Sequence, residues 1–288
     1  MIGGNDSSTT SERHLARPVG SARESLTIIS FSVLALFAVV ILTLLFSDAW
    51  YLASHRVGFA RITEILTSQD VGRSMFLSVW TSLCSLVLVV FFSIPIGYAL
   101  SRYRFRGHAF LSTLVDVPIV LPPVVIGISL LAFFGTGVGM AVKEALRAAH
   151  LDIISGLGII LCQFLVSVPY CIRAVKAAFD EVSNEVEDVA LVLGCSQWQA
   201  FRRVTLPMAR NGLVAGGIMA WARAIGVFGP LMVFIGTGAR VQVMPTSIYL
   251  ELSIGNIETS LVIALVMVLL ASVALALVHR LAPGRQWT

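Results

Sequence analysis

The chain has 288 residues, of which 57% are apolar and 12% charged, with a formal net charge of +4 and a mean hydropathy of +0.89. Soluble chains are roughly half apolar and a quarter charged, so a soluble globule is excluded. Several stretches of about 20 residues carry almost no charge, and each is long enough to cross a hydrocarbon layer about 30 Å thick as a helix. The expected class is an all-α polytopic membrane protein.

Residues 1–26 are polar, rich in Ser and Thr, and hold Arg13, Arg17 and Arg23; without a periodic apolar face they read as a disordered tail. Leu26 to Phe46 then runs 21 residues without a charge, longer than the roughly 7–15-residue core of a cleaved signal peptide, although Ser47-Asp48-Ala49 faintly resembles a cleavage site. Further apolar runs cover 74–101, 110–134, 153–172, 212–236 and 257–278. Six spans, counting 26–46, make a transmembrane domain over about 27–281 and return both termini to one side, with 282–288 as a second tail. Lys and Arg number 13 in the two tails and the 102–106 and 173–210 loops, against 6 in the other three loops. The positive-inside rule therefore places both ends in the cytoplasm.

The spans contain Pro and Gly, as in Ile94-Pro95-Ile96-Gly97 and Leu121-Pro122-Pro123, which neighbouring membrane helices tolerate by satisfying the freed backbone groups. Broken helices often surround a pathway, and Pro122 and Pro123 are candidates to line one; an ordinary kink is the competing reading. The 47–72 and 135–152 loops face outward, the second with room for a short helix from Val138 to Ala149.

Between Arg173 and Arg210 the pattern changes. Val182, Val186, Val189, Ala190 and Leu193 line one side of a helix, with Glu185, Glu187 and Asp188 on other sides. Asn184, with Glu187 three residues on, is placed to cap its first turn. Gly194 suits the left-handed position that ends a helix, and Ser196 with Gln199 forms a second capping box. A second short helix carries Trp198, Phe201 and Val204 until Pro207 stops it. Two short helices at an angle suit gripping another protein. An amphipathic hairpin on the bilayer, with Arg202, Arg203 and Arg210 on anionic lipid, fits the same pattern.

Asp188-Val189-Ala190-Leu191-Val192-Leu193-Gly194, continued through Phe201 to Leu206-Pro207, resembles the EAA loop of ABC importer permeases. The resemblance implies the type I permease fold and makes residues 180–207 a coupling loop seated in a groove of an ATP-hydrolysing subunit. Glu187, Asp188, Val189, Ala190, Gly194, Ser196, Phe201 and Pro207 are then its coupling residues. Asp188 and Val189 stand where the pattern has Glu and Ala. The flanks Pro118 to Gly127, Trp221 to Gly229 and Met244 to Leu250 are most similar to the molybdate, tungstate and sulfate branch, except that Val227 stands where that branch usually has Glu. They imply an oxyanion as substrate, with Gly226, Phe228 and Gly229 on its pathway. The implied partners are two copies of a cytosolic ATPase subunit, a second permease copy in a homodimer, and a periplasmic or extracellular solute-binding protein. The implied setting is the bacterial inner membrane, and no nucleic acid is expected.

The chain's own chemistry fits a transport subunit without catalysis. Neither Lys143 nor Lys176 belongs to a GxxxxGK[ST] phosphate loop, so ATP and Mg are expected on a separate subunit and no cofactor on this one. A proton- or sodium-coupled carrier calls for several acidic or His groups in the spans; Asp116 lies well inside one, and Glu258 at the entrance to another. The five His residues are scattered and Cys84, Cys162, Cys171 and Cys195 form no CxxC pair, so neither a metal centre nor a disulfide is expected. A membrane scaffold that recruits a cytosolic partner is a further class. Arg223 lies roughly 16 Å into the fifth span at 1.5 Å per residue. It either makes a central cavity positive or joins a structural ion pair, for which Asp116 is the candidate. Gly212, Ala215, Gly216, Gly217 and Ala220 form a smooth surface for a subunit seam, a moving gate or packing within the subunit.

Overall fold

The computed structural model describes residues 19–55, 57–149, 156–236 and 241–281. Most of the expected N-terminal tail and the segment 282–288 lie outside them. The chain divides into two units at Arg56 and Val57. The described part of the first is formed by helix α1 (Val19–Ser54), 36 residues long. It begins before Leu26, where a disordered tail was expected to give way to the first span. It also passes without a break through Ser47-Asp48-Ala49. Ile28, Phe31, Leu34 and Phe37 are all exposed, so the helix is apolar on every side, as one solvated by hydrocarbon is.

The second unit contains α2 (Phe59–Thr67), α3 (Gln69–Arg102), α4 (His108–Val120), α5 (Pro123–Gly135), α6 (Gly137–Ala148), α7 (Gly156–Asp180), α8 (Asn184–Val192) and α9 (Gln197–Ala200). A π-helical turn (Phe201–Thr205) and α10 (Leu206–Met208) follow, then α11 (Arg210–Ile225), α12 (Gly229–Phe234), α13 (Met244–Ser253) and α14 (Ile257–Leu281). No strand occurs among the described residues. Helix α6 occupies the expected 138–149 segment, capped by Thr136 Oγ1, which accepts from Gly139 N at 3.2 Å. Helix α2 lies within the 47–72 segment expected as a loop, and its buried Ile65 marks its inner face.

Four helices are long and apolar enough to cross a membrane, within α1, α3, α7 and α14; a fifth crossing arises if α4 and α5, bent by 108°, count as one. Six runs were expected, and two of them are broken. At Leu121 and Pro122 the backbone is extended (ψ 138° and 130°). Pro122 and Pro123 donate no N–H, and each disfavours helical geometry in the residue before it. The 212–236 run divides into α11, 16 residues or about 24 Å long, and the six-residue α12. The chain turns at Gly226–Phe228, and Pro230 sits in the first turn of α12, where a missing N–H costs nothing.

Helices α3, α7 and α11 form the packed centre. The buried side of α3 carries Ser74, Ser78, Thr81, Ser82, Ser85, Ser93 and Gly97. Small residues let backbones approach, and Ser74, Thr81 and Ser82 satisfy their hydroxyls by donating to Val71, Leu77 and Val79 carbonyls at 2.7–2.9 Å. The small residues of α11 serve the same centre. A Cβ on Gly212 or Gly216 would lie 2.3 or 2.9 Å from the Cβ of Ala178 or Ala174 on α7. Ala220 is buried and Ala215 exposed, so most of the smooth surface is consumed within the subunit.

Candidate functional site

The segment between α7 and α11 folds as a bent knob. Gly194 has φ +90°, and around it Cys195 N donates to Ala190 O and Gly194 N to Leu191 O, both at 3.0 Å, the paired bonds of a Schellman motif. Ser196 Oγ accepts from Gln199 N at 3.3 Å while Gln199 Oε1 accepts from Ser196 N at 2.9 Å, so the second capping box forms as expected. The first does not: Ser183 caps α8, accepting from Glu185 N, and Asn184 is already helical.

Glu187 has a different occupation. Its carboxylate accepts from Tyr98 Oη at 3.1 Å, Arg102 Nε at 3.0 Å and Thr205 Oγ1 at 2.6 Å. Arg102 Nη2 also donates to the carbonyl of Val182 at 2.9 Å. The Arg102 and Glu187 side chains are only 9% and 15% exposed, so removing one would strand the other's charge, at about 3–5 kcal/mol. This clamp sets the rotation of α8. Val182, Val186, Glu187 and Ala190 turn inward, while Val189 and Leu193, expected on the buried side, are exposed with Leu191, Val192 and Trp198. Hydrogen bonds to a charged group contribute about 1.5–3 kcal/mol each, and three of them outweigh burying one more valine at about 1.5–3 kcal/mol.

The expected coupling residues therefore divide. Asp188 and Val189 belong to the exposed surface. Glu187 and Ala190 lie behind it, while Gly194 and Ser196, exposed as well, set the bend of the knob through its backbone. Phe201 is internal too, 4.7 Å from the Tyr98 ring and 5.5 Å from that of Trp198. Pro207 does not stop the second helix. The chain widens into the π turn, where Leu206 N reaches Phe201 O, and the wider turn relieves the clash of the Pro207 ring with the preceding helix. Tyr98, Arg102 and Thr205 were missed, because nothing local marks residues whose partner lies up to 89 positions away.

A second cluster gathers the three flanking motifs. A Cβ on Gly127 would lie 2.7 Å from Pro230 O, and one on Gly229 2.7 Å from Val124 Cγ2. The two broken runs therefore meet backbone to backbone. Val227, 4% exposed, packs with Ile126, Leu130, Cys162, Leu231 and Val243, an environment suited to Val and hostile to an unpaired Glu. The Phe228 ring lies 5.2 Å from that of Tyr249 on α13. Helix α3 fixes this cluster twice: Ser78 Oγ accepts from Met244 N at 2.6 Å, and Ser82 Oγ accepts from Trp221 Nε1 at 3.2 Å.

Pro122, Arg223 and Gly226 are exposed, and Pro123, Phe228 and Gly229 half-buried. Arg223 shares an exposed stripe of α11 with Val214, Ala215, Met219 and Ala222, and its guanidinium stands 5.7 Å from the centre of the Tyr170 ring. It does not pair with Asp116, whose carboxylate is taken by Arg173. Among the described residues no group of His, Cys, Asp and Glu is placed to hold a metal ion.

Residues 90–286 match the family described as binding-protein-dependent transport system inner membrane component. A probable molybdenum ABC transporter permease protein of Haloferax volcanii is 34% identical over 77% of this chain and 80% of its own length. The sulfate transport system permease protein of Escherichia coli K12 is 29% identical over 85% and 81%. In solved structures, a chain from a bacterial ABC transporter involved in the import of alginate superposes with a TM-score of 0.70, at 16% identity, over 93% of this chain and 98% of that one; this likeness concerns the fold.

Proposed function

This chain belongs to the family of binding-protein-dependent transport system inner membrane components, and from that premise we propose that it is the permease subunit of an ATP-driven importer for a tetrahedral oxyanion, molybdate or tungstate. It crosses the bacterial inner membrane six times, through α1, α3, α4–α5, α7, α11–α12 and α14, with both termini in the cytoplasm. The excess of Lys and Arg in the tails and in the loop that holds the knob supports this orientation.

The observation that carries the reading is the knob. It presents Val189, Leu191, Val192, Leu193 and Trp198 to solvent on a frame held by the Glu187 clamp, and a rigid apolar patch of this kind calls for a protein groove. Its occupant is a cytosolic ATPase subunit, two copies per transporter, which carries the ATP and Mg. A lipid surface would not need the clamp. The exposed stripe of α11 faces a second copy of the chain, and Arg223 on it makes the shared cavity positive. A dianion is then attracted without being bound tightly. A solute-binding protein on the outer side delivers it and sets most of the selectivity. A gradient-driven carrier is disfavoured, since Asp116 is already held by Arg173.

Purification of the tagged chain tests the reading. An ATPase subunit is expected with the wild type and is lost on Val192→Glu; its retention with full uptake would defeat the docking assignment. Sulfate is the second reading, favoured by the sulfate permease similarity. Titrating the cognate binding protein with molybdate, tungstate and sulfate separates the two, and tight binding of a sugar or peptide instead would remove the oxyanion.

A further inference from the structure

The Glu187 clamp and the two hydrogen bonds accepted by Ser78 and Ser82 sit toward opposite ends of one helix. At its last turns α3 holds the knob through Tyr98 and Arg102. Twenty residues earlier, about 30 Å away at 1.5 Å per residue, Ser82 holds Trp221, and one turn further Ser78 holds the first N–H of α13. Trp221 lies two residues before Arg223 and five before the Gly226 turn. Helix α13 carries Tyr249 against Phe228. Between these ends α3 runs unbroken through Pro95, and its buried hydroxyls and Gly97 give a smooth flank toward α7 and α11.

We propose that α3 is the connecting rod of this permease: Glu187, bonded to Arg102 and Tyr98, transfers movement of the knob into α3, and Ser82 and Ser78 deliver it to the 226–229 turn and α13. Glu187 is a positioning residue in this scheme, turned away from the docking patch and acting through Arg102. The alternative route, through the covalent links of α8–α9 to α7 and α11, is weaker mechanically. On one side it passes through Glu181–Ser183, and on the other through a π turn and the short α10. The clamp instead ties α8 side chain to side chain, with the pair mostly shielded from water, where electrostatic attraction is strong.

This inference rests on the proposed function, and its test separates the two. The full chain is reconstituted in proteoliposomes with its ATPase subunit and binding protein, and two quantities are read: ATPase subunit retained, and anions taken up per ATP hydrolysed. Glu187→Gln and Arg102→Met are each expected to keep the ATPase subunit within about twofold and to lower anions per ATP at least tenfold. Their double variant should be no worse than the worse single, since both break one link. Arg102→Lys, which keeps the charge, should recover to within about threefold of wild type. Should the first variants fail to assemble, Tyr98→Phe and Thr205→Val each remove one neutral donor and are expected to cost two- to fivefold. At the far end Ser82→Ala should lower the same ratio while ATPase retention stays unchanged. Unchanged anions per ATP across these variants would overturn the rod. So would loss of the ATPase subunit from Glu187→Gln in step with uptake, since the clamp would then serve only to frame the docking patch. A wild-type preparation that brings down no ATPase subunit defeats the proposed function itself.

Discussion

Arg173 donates from Nε and Nη2 to the two carboxylate oxygens of Asp116, at 2.5 and 2.6 Å, joining α7 to α4 by a two-pronged bond. Asp116 was the candidate partner for Arg223 if that residue joined an ion pair, and this bond removes that option. The Arg173 side chain is 61% exposed, so the pair's coupling is small despite its geometry, about 0.5 kcal/mol. A double-mutant cycle with Asp116→Asn and Arg173→Met, read from thermal unfolding in detergent, should return that coupling; a value above 2 kcal/mol would mean that the pair is shielded from water.

Arg223 is thereby left with the Tyr170 ring and an open face. Arg223→Gln should reduce anion uptake several-fold while leaving the unfolding midpoint within experimental scatter, because no ion pair among the described residues includes it. Arg223→Lys keeps the charge and should retain most of the uptake. A fall in the unfolding midpoint of both variants, with uptake scaling to folded protein, would assign Arg223 to the framework instead.

The meeting of the two broken runs depends on two hydrogens. Gly127→Ala places a methyl 2.7 Å from the Pro230 carbonyl and 2.8 Å from its Cα. Backbone cannot yield as a flexible side chain does, so the cost should be about 1–3 kcal/mol. Gly229→Ala meets a valine methyl and should cost less. Ranking the two variants by unfolding temperature checks the order.

Neighbouring residues on α8 should separate docking from folding. Val192 is 87% exposed and Ala190 7% exposed. Val192→Glu should abolish capture of the ATPase subunit without changing stability. Ala190→Glu buries a carboxylate against the clamp and should lower the yield of folded protein several-fold. Equal effects of the two on yield would contradict the division into surface and frame.

Gly194→Ala forces a side chain into a left-handed conformation at φ +90° and should cost roughly 1 kcal/mol. Gly194→Asn, better tolerated there, should cost less. An unfolding series over Gly, Asn and Ala checks the order.

What could be read from the sequence was whatever depends on neighbours along the chain. Long apolar runs mark the helices able to cross a membrane within α1, α3, α7 and α14, Pro122 and Pro123 break a helix through their own missing N–H groups, and Gly194, Ser196 and Gln199 act on backbone within a few residues. What the tertiary structure decided were the pairings across the chain. Periodicity set Val189 and Leu193 inward and left Glu187 outside, since it weighs apolar burial and cannot see Arg102, Tyr98 and Thr205 converging on one carboxylate. It offered Asp116 to Arg223 because both are isolated charges in spans, while Arg173 lay in a segment that looked like loop. Local bonds and solvent preference are written residue by residue, but the partner of a buried charge is chosen by which helices come to lie side by side.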